Sequence, residues 1–183
     1  VDGKPLGLSD AGSYWHSDFA FRPKPAYVTM LHAKKIPSQG GNTLFADMYA
    51  AYDALDAETQ KLLAGRRAVQ RYRKRGDTLG GGTRVSMTAD LKAKPPDVVH
   101  PLVRDQPETG RPALFAPIGT TAEIEGLPED ESADLLRKLF SHMVEDRFVT
   151  EYAWTARDLV FWDNRFTMHK ATSDELSGDE PRT

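Results

Sequence analysis

Phe148-Val149-Thr150-Glu151-Tyr152-Ala153-Trp154 and, a few residues on, Asp158-Leu159-Val160-Phe161-Trp162-Asp163-Asn164-Arg165-Phe166-Thr167-Met168-His169 set the fold class. The first segment alternates in the way a half-buried strand does, with side chains sent to opposite faces. In the second, Asp158–Trp162 is an apolar strand, and Asp163-Asn164 makes a turn that aims the strand end onward toward His169. Just upstream, Ser132–Val144 carries Leu135, Leu136, Leu139, Phe140 and Met143 on one helical face. Further back, Val98–Arg104 and Ala113–Ala116 read as strands flanking a turn of Pro, Glu, Thr and Gly. Residues 73–94 hold Gly76, Gly80, Gly81 and Gly82 among few large apolar residues, the composition of a loop or lid. Asp47 and Asp56 are placed to cap short helices running to Leu55 and Leu63, the second ended by Gly65. Trp15–Phe21, Tyr27–Ala33 and Thr43–Phe45 read as extended, separated by Pro23, Pro25 and the turn at Gln39–Asn42. Strands dominate, with one long helix and two short ones. The expectation is a mainly β fold with flanking helices (α+β), a sandwich or jelly roll.

The chain has 183 residues, 39% hydrophobic and 28% charged, the range of one globular domain. Both ends are expected to be cut from a longer protein. A formal net charge of −3 gives no electrostatic reason for nucleic acid or an anionic membrane as partner. No apolar run approaches the ~20 residues of a membrane-spanning helix. Without cysteine there is no disulfide, thiolate ligand or cysteine nucleophile, which fits a cytoplasmic location. The basic run Arg66, Arg67, Arg71, Arg73, Lys74 and Arg75 reads as a solvated loop.

Chemistry points to His16, Asp18 and His169. On an extended segment, residues two apart share a face, so His16 and Asp18 can enter one cavity. Two histidines and one carboxylate are the facial set of non-haem Fe(II) sites, which leaves three metal positions open. His-x-Asp alone is a weak signal, and His32, His100 and His142 read as structural or solvated.

The blocks around these residues carry more. Trp15-His16-Ser17-Asp18, Gly40-Gly41-Asn42-Thr43-Leu44-Phe45, Met48–Leu55, His100-Pro101-Leu102-Val103-Arg104 and Trp162–His169 resemble, in order, the taurine/2,4-dichlorophenoxyacetate dioxygenase family (TauD/TfdA). That resemblance implies a double-stranded β-helix (jelly roll, cupin-like) with Fe(II) held by His16, Asp18 and His169. It implies 2-oxoglutarate as cosubstrate with O₂, its distal carboxylate met by Thr43, which stands 27 residues beyond His16, and by Arg182, 13 beyond His169. A guanidinium fork suits a carboxylate physically. The implied reaction is hydroxylation of a small anionic organic substrate of sulfonate, sulfate ester or aryloxyalkanoate type, with release of succinate and CO₂. Trp162 matches a family tryptophan near the metal and serves equally as a core aromatic; Phe19 and Phe21 are candidates for pocket lining, Phe21 equally for the core. Gly12 stands where taurine-specific members carry asparagine, which counts against taurine itself. A homo-oligomer, dimer or tetramer, is implied by analogy alone. Two rivals stay open: a jelly roll using Zn²⁺ or Mn²⁺ for non-oxidative chemistry, and a non-catalytic binding module.

Overall fold

A computed structural model describes residues 12–38, 40–72 and 95–172; the expected lid at 73–94 and Arg182 lie outside them. In chain order the elements are β1 (Val28–His32), β2 (Thr43–Asp47), α1 (Met48–Asp53), α2 (Ala57–Leu63) and β3 (Arg67–Gln70). They continue with β4 (Val98–Pro101), β5 (Val103–Asp105), β6 (Pro112–Leu114), β7 (Thr121–Ile124) and α3 (Glu129–Met143). A 3-10 turn at Asp146–Phe148 leads to β8 (Val149–Tyr152), β9 (Leu159–Asp163) and β10 (Thr167–Ala171).

Two antiparallel assemblies frame the site. β1 pairs with β9, with Thr29 opposite Trp162 and Leu31 opposite Val160. β2 lies between β10 and β8, with His169 opposite Phe45 and Ala171 opposite Thr43. Side chains alternate across each strand, so Thr29, Leu31 and Trp162 face inward from one assembly while Thr43, His169 and Ala171 face inward from the other. All six line a single cavity. Their odd neighbours go the other way: Met30 and Phe161 are exposed, whereas Ala46 and Met168 are buried in the main core.

That core fills the space behind β2 and β10. Ala46, Met48 and Met168 meet Leu63, Ala68, Leu102, Leu114 and Ile124, and the buried face of α3 (Leu136, Leu139, Met143) closes the layer. The sheet β4–β3–β7 and the hairpin β5–β6 supply its far wall. The caps are as the sequence suggests. Asp47 accepts from the backbone N–H groups of Tyr49 and Ala50, and Asp56 from Thr59, satisfying donors that a helix start leaves open. Gly65 follows α2 at φ 72°, a left-handed position where a Cβ is disfavoured.

Several expectations shift. The segment Trp15–Phe21 is not a strand: only His16 makes a bridge, and Asp18 opens a turn. Proline at 23 and 25 limits any longer ladder there. Part of the basic run is ordered sheet, because Arg67–Gln70 alternates Arg67 and Val69 outward with Ala68 and Gln70 buried. Its charges have local partners, Glu125 at 3.5 Å from Arg67 and Asp97 at 2.8 Å from Arg71. β7 carries no strong apolar pattern and was not anticipated. Val98–Arg104 divides into two strands at Leu102, whose side chain is fully buried. The long helix starts at Glu129, and its acidic first turn (Glu129, Asp130, Glu131) complements the helix dipole. His169, expected just after the strand β9, lies within a strand of its own, β10.

His100 is structural. It is buried against the Phe115 ring, and its Nε2 lies 2.9 Å from the Arg22 carbonyl. Burial, first of all, lowers its pKa below the ordinary imidazole value of 6.5. The unfolded chain therefore takes up a proton at His100 before the folded chain does, so this stability is present above pH 6.5 and drains away as pH falls below it. Urea unfolding between pH 7.5 and 5 is expected to show a smaller pH slope for His100→Gln than for the parent. The difference is at most about 1.4 kcal/mol per pH unit, the limit for one proton.

Candidate metal centre

His16 and His169 meet as a cross-strand pair. The amide of His16 donates to the carbonyl of His169 at 3.0 Å and the reverse bond is 2.8 Å. Directly opposed residues of an antiparallel bridge present their side chains on one face, and the two imidazole centroids lie 4.1 Å apart. Asp18 joins them from the turn. Ser17, between the two, points away and donates to the Thr167 carbonyl at 3.1 Å, so the alternation expected of an extended segment survives without a strand. One donor atom from each of His16, Asp18 and His169 lies within 4.8 Å of the others. His16 Nε2 stands 3.6 Å from Asp18 Oδ1, and His169 Nε2 3.8 Å from Asp18 Oδ2. These separations are too long for hydrogen bonds and suit three donors turned toward a common ion.

The protonation pattern fits a cation. His16 Nδ1 is 2.8 Å from the Tyr14 carbonyl, which places an N–H there and turns Nε2 toward Asp18. Burial, with the neighbouring His16 second, pushes the His169 pKa down to about 2, so the ring is neutral. Neutral imidazole is the form that ligates a metal.

The carboxylate is held by a directional chain. Asn164, fully buried, donates through Nδ2 to Thr29 Oγ1 at 2.8 Å, and Thr29 in turn donates to Asp18 Oδ2 at 2.5 Å. The other end of the same amide, Oδ1, accepts from the Asp18 backbone N–H at 3.1 Å and from Trp162 Nε1 at 3.2 Å. One asparagine thus ties the turn carrying Asp18 to β1 and β9. The turn at Asp163-Asn164 had been expected to aim the chain at the site; Thr29 had not been picked out, since a threonine in a strand carries no distinguishing pattern.

Above the three donors opens a cavity of about 400 Å³. Thr43, 5% exposed, and Trp162 stand in its wall with Leu31, Lys35, Ile36 and Trp154. Trp162 packs 4.7 Å from His169 and 5.2 Å from Phe45, so it is both a core aromatic and a neighbour of the three clustered donors. Phe19 does not join this wall. It sits at φ 53°, is 51% exposed, and turns its ring toward Phe21 and the Arg22 guanidinium. Gly12 does border the cavity, at φ 79°, and a Cβ there would come 3.1 Å from His16 Cε1. Glycine at that position therefore has a steric reason of its own.

Two histidines and a carboxylate lining one cavity of a jelly roll are the arrangement of a class of metal-dependent enzymes, and comparison with known proteins narrows it. The profile of the family described as "Taurine catabolism dioxygenase TauD, TfdA family" matches residues 2–183. The chain is 42% identical over 177 residues to the alpha-ketoglutarate-dependent 2,4-dichlorophenoxyacetate dioxygenase of Cupriavidus pinatubonensis, covering 96% of this chain and 60% of that protein. It is 37% identical over 163 residues to the (S)-phenoxypropionate/alpha-ketoglutarate-dioxygenase of Delftia acidovorans, covering 86% and 54%. Among solved structures, AAD-2 in complex with Mn(II) and N-oxalylglycine superposes with a TM-score of 0.79 at 34% identity, over 94% of this chain and 66% of that one. The chain belongs to the TauD/TfdA family and has its jelly-roll fold. It spans little more than half the length of these two curated relatives.

Proposed function

We propose that the protein of which this chain is part is an Fe(II)- and 2-oxoglutarate-dependent dioxygenase that hydroxylates a small anionic organic substrate. The observation that carries this reading is the convergence of His16, Asp18 and His169, from the two ends of the described chain, at a cavity that also presents Thr43. In this assignment His16 Nε2, Asp18 and His169 hold the metal. Iron(II) bound there, with 2-oxoglutarate and O₂, supplies the oxidising power for C–H hydroxylation, and 2-oxoglutarate leaves as succinate and CO₂.

The rest is work for the protein. Thr43 donates to the distal carboxylate of 2-oxoglutarate, and Arg182 is assigned to the same carboxylate by the resemblance. Trp162, buried, keeps the wall beside His169 apolar, which limits water near the reacting atoms, and the more exposed Leu31 adds apolar surface to the lining. Lys35 at the cavity lining adds a positive charge that favours anionic ligands. Relatives whose names specify phenoxy acids direct the choice of substrate toward aryloxyalkanoates, with sulfonates and sulfate esters next.

Anaerobic, metal-free protein loaded with Fe(II) is expected to develop a visible charge-transfer band when 2-oxoglutarate is added. Arg182→Ala should weaken 2-oxoglutarate binding by about tenfold or more, the size of a lost charge-assisted bond. Folded, iron-loaded protein that shows no band would overturn the assignment. Succinate release against a panel of phenoxy acids, sulfonates and sulfate esters then identifies the substrate class.

A further inference from the structure

The Thr43 hydroxyl has one proton and can use it in only one direction. Its partner in the structure is the indole of Trp154, whose Nε1 donates to Thr43 Oγ1 at 3.0 Å. An indole N–H is a donor and never an acceptor. With that lone pair engaged, Thr43 cannot spend its own proton on Trp154. The proton is left for an acceptor in the cavity that both residues line.

Trp154 is itself firmly placed. β8 pairs with β2 so that Tyr152 stands opposite Thr43, and Trp154 lies just beyond the end of that ladder. Tyr152 packs edge-on against Trp154, with centroids 5.2 Å apart. Tyr152 also donates to Asp158 Oδ2 at 2.9 Å, and the Thr155 amide donates to the same oxygen at 2.7 Å. The turn is fastened to the end of β1 by Arg157 N–H to the Ala33 carbonyl (2.7 Å) and Ala33 N–H to the Asp158 carbonyl (2.9 Å). Arg157 adopts φ 79° to close it, a conformation that non-glycine residues hold only where their surroundings impose it. This is far more support than a tryptophan needs merely to fill a wall.

We infer that Trp154 is a positioning residue: by donating to Thr43 Oγ1, it commits the Thr43 hydroxyl to act as a donor to a carboxylate in the cavity. The inference rests on the assignment of 2-oxoglutarate to this cavity and extends it to a residue outside the metal set and the cosubstrate contacts. A preset donor loses less freedom on binding than a hydroxyl that must first turn. The effect should therefore appear in cosubstrate affinity and leave metal affinity alone.

The test is 2-oxoglutarate titration of anaerobic Fe(II)-loaded protein, full length, followed by the charge-transfer band. Trp154→Phe keeps a ring and removes the N–H; it is expected to weaken 2-oxoglutarate three- to tenfold with unchanged iron affinity. Thr43→Val should weaken it at least as much, and adding Trp154→Phe to Thr43→Val should then cost nothing further. In a Thr43→Ser background, which restores a hydroxyl, the Trp154→Phe effect should return. Independent, multiplying effects of Trp154→Phe and Thr43→Val would overturn the inference, as would a Trp154→Phe protein with parental affinity while Thr43→Val binds weakly. If Thr43→Val itself binds 2-oxoglutarate normally, the assignment of Thr43 to the cosubstrate fails first. Melting temperatures of all five variants within a few degrees of the parent exclude a general loosening of the turn.

Discussion

Asn164→Asp is expected to destabilise the protein by about 3–5 kcal/mol, seen as a fall of roughly 10 °C in melting temperature, and to weaken metal binding ten- to a hundredfold. The substitution keeps the side chain's shape and changes only what it can donate. Asn164 uses its oxygen to accept from Asp18 N–H and Trp162 Nε1, and its amino group to donate to Thr29. An ionised aspartate is acceptor-only, so it preserves the first pair and reverses the third. Thr29 then faces two carboxylates with one proton. If it turns to Asp18, the new carboxylate at 164 keeps a buried oxygen without a donor beside a second negative charge; if it turns to 164, Asp18 loses its donor. Because Asn164 is fully buried, water cannot repair the loss.

Thr29→Val separates the two consequences. It removes the donor to Asp18 and creates no charge, so the fold should lose only about 1–2 kcal/mol while metal affinity still falls about tenfold. Thermal melts of the metal-free proteins, with Fe(II) or Mn(II) titrations, read both. An Asn164→Asp protein that melts within about 2 °C of the parent would show that the chain from Asn164 to Asp18 is incidental.

The parts of the molecule visible in the sequence are those where a local rule acts alone. Asp47 and Asp56 cap helices because a carboxylate beside open backbone N–H groups is stabilising wherever it occurs. The face of α3 was legible because Leu136, Leu139 and Met143 repeat at helical spacing and are buried as a set. β7 and the break at Leu102 within the expected strand Val98–Arg104 were not, since they are set by the partners met across the sheet. The candidate site divides the same way. His16, Asp18 and His169 follow from residue type and the resemblance around them. Thr29 and Trp154 became apparent only once pairing had set Thr29 opposite Trp162 and Thr43 opposite Tyr152. A hydrogen bond between residues 111 positions apart, Thr43 and Trp154, leaves no trace in either local sequence.

His16→Ala and His169→Ala should abolish the same chemistry at different structural cost, and the contrast tests the site as a metal centre. Each removes one of three donors, so each is expected to lose the charge-transfer band and reduce turnover by about a thousandfold or more, roughly 4 kcal/mol of barrier. His16 has a partly exposed ring, and among the described residues its Nδ1 bonds to the neighbouring Tyr14 carbonyl. Its removal should leave the metal-free fold within about 1 kcal/mol of the parent. His169 is buried, 4.7 Å from Trp162 and stacked near Phe45, so its truncation opens a cavity in the wall and should cost about 2–4 kcal/mol as well. Urea unfolding of the metal-free variants checks the second difference; iron titration and succinate release check the first. A His16→Ala protein that keeps the band and turns over within tenfold of the parent would remove the facial set from the mechanism. If Zn²⁺ or Mn²⁺ instead supported turnover with no need for 2-oxoglutarate, the same three ligands would be serving a hydrolytic or isomerising reaction. The fold would stand, and the open coordination positions would have another use.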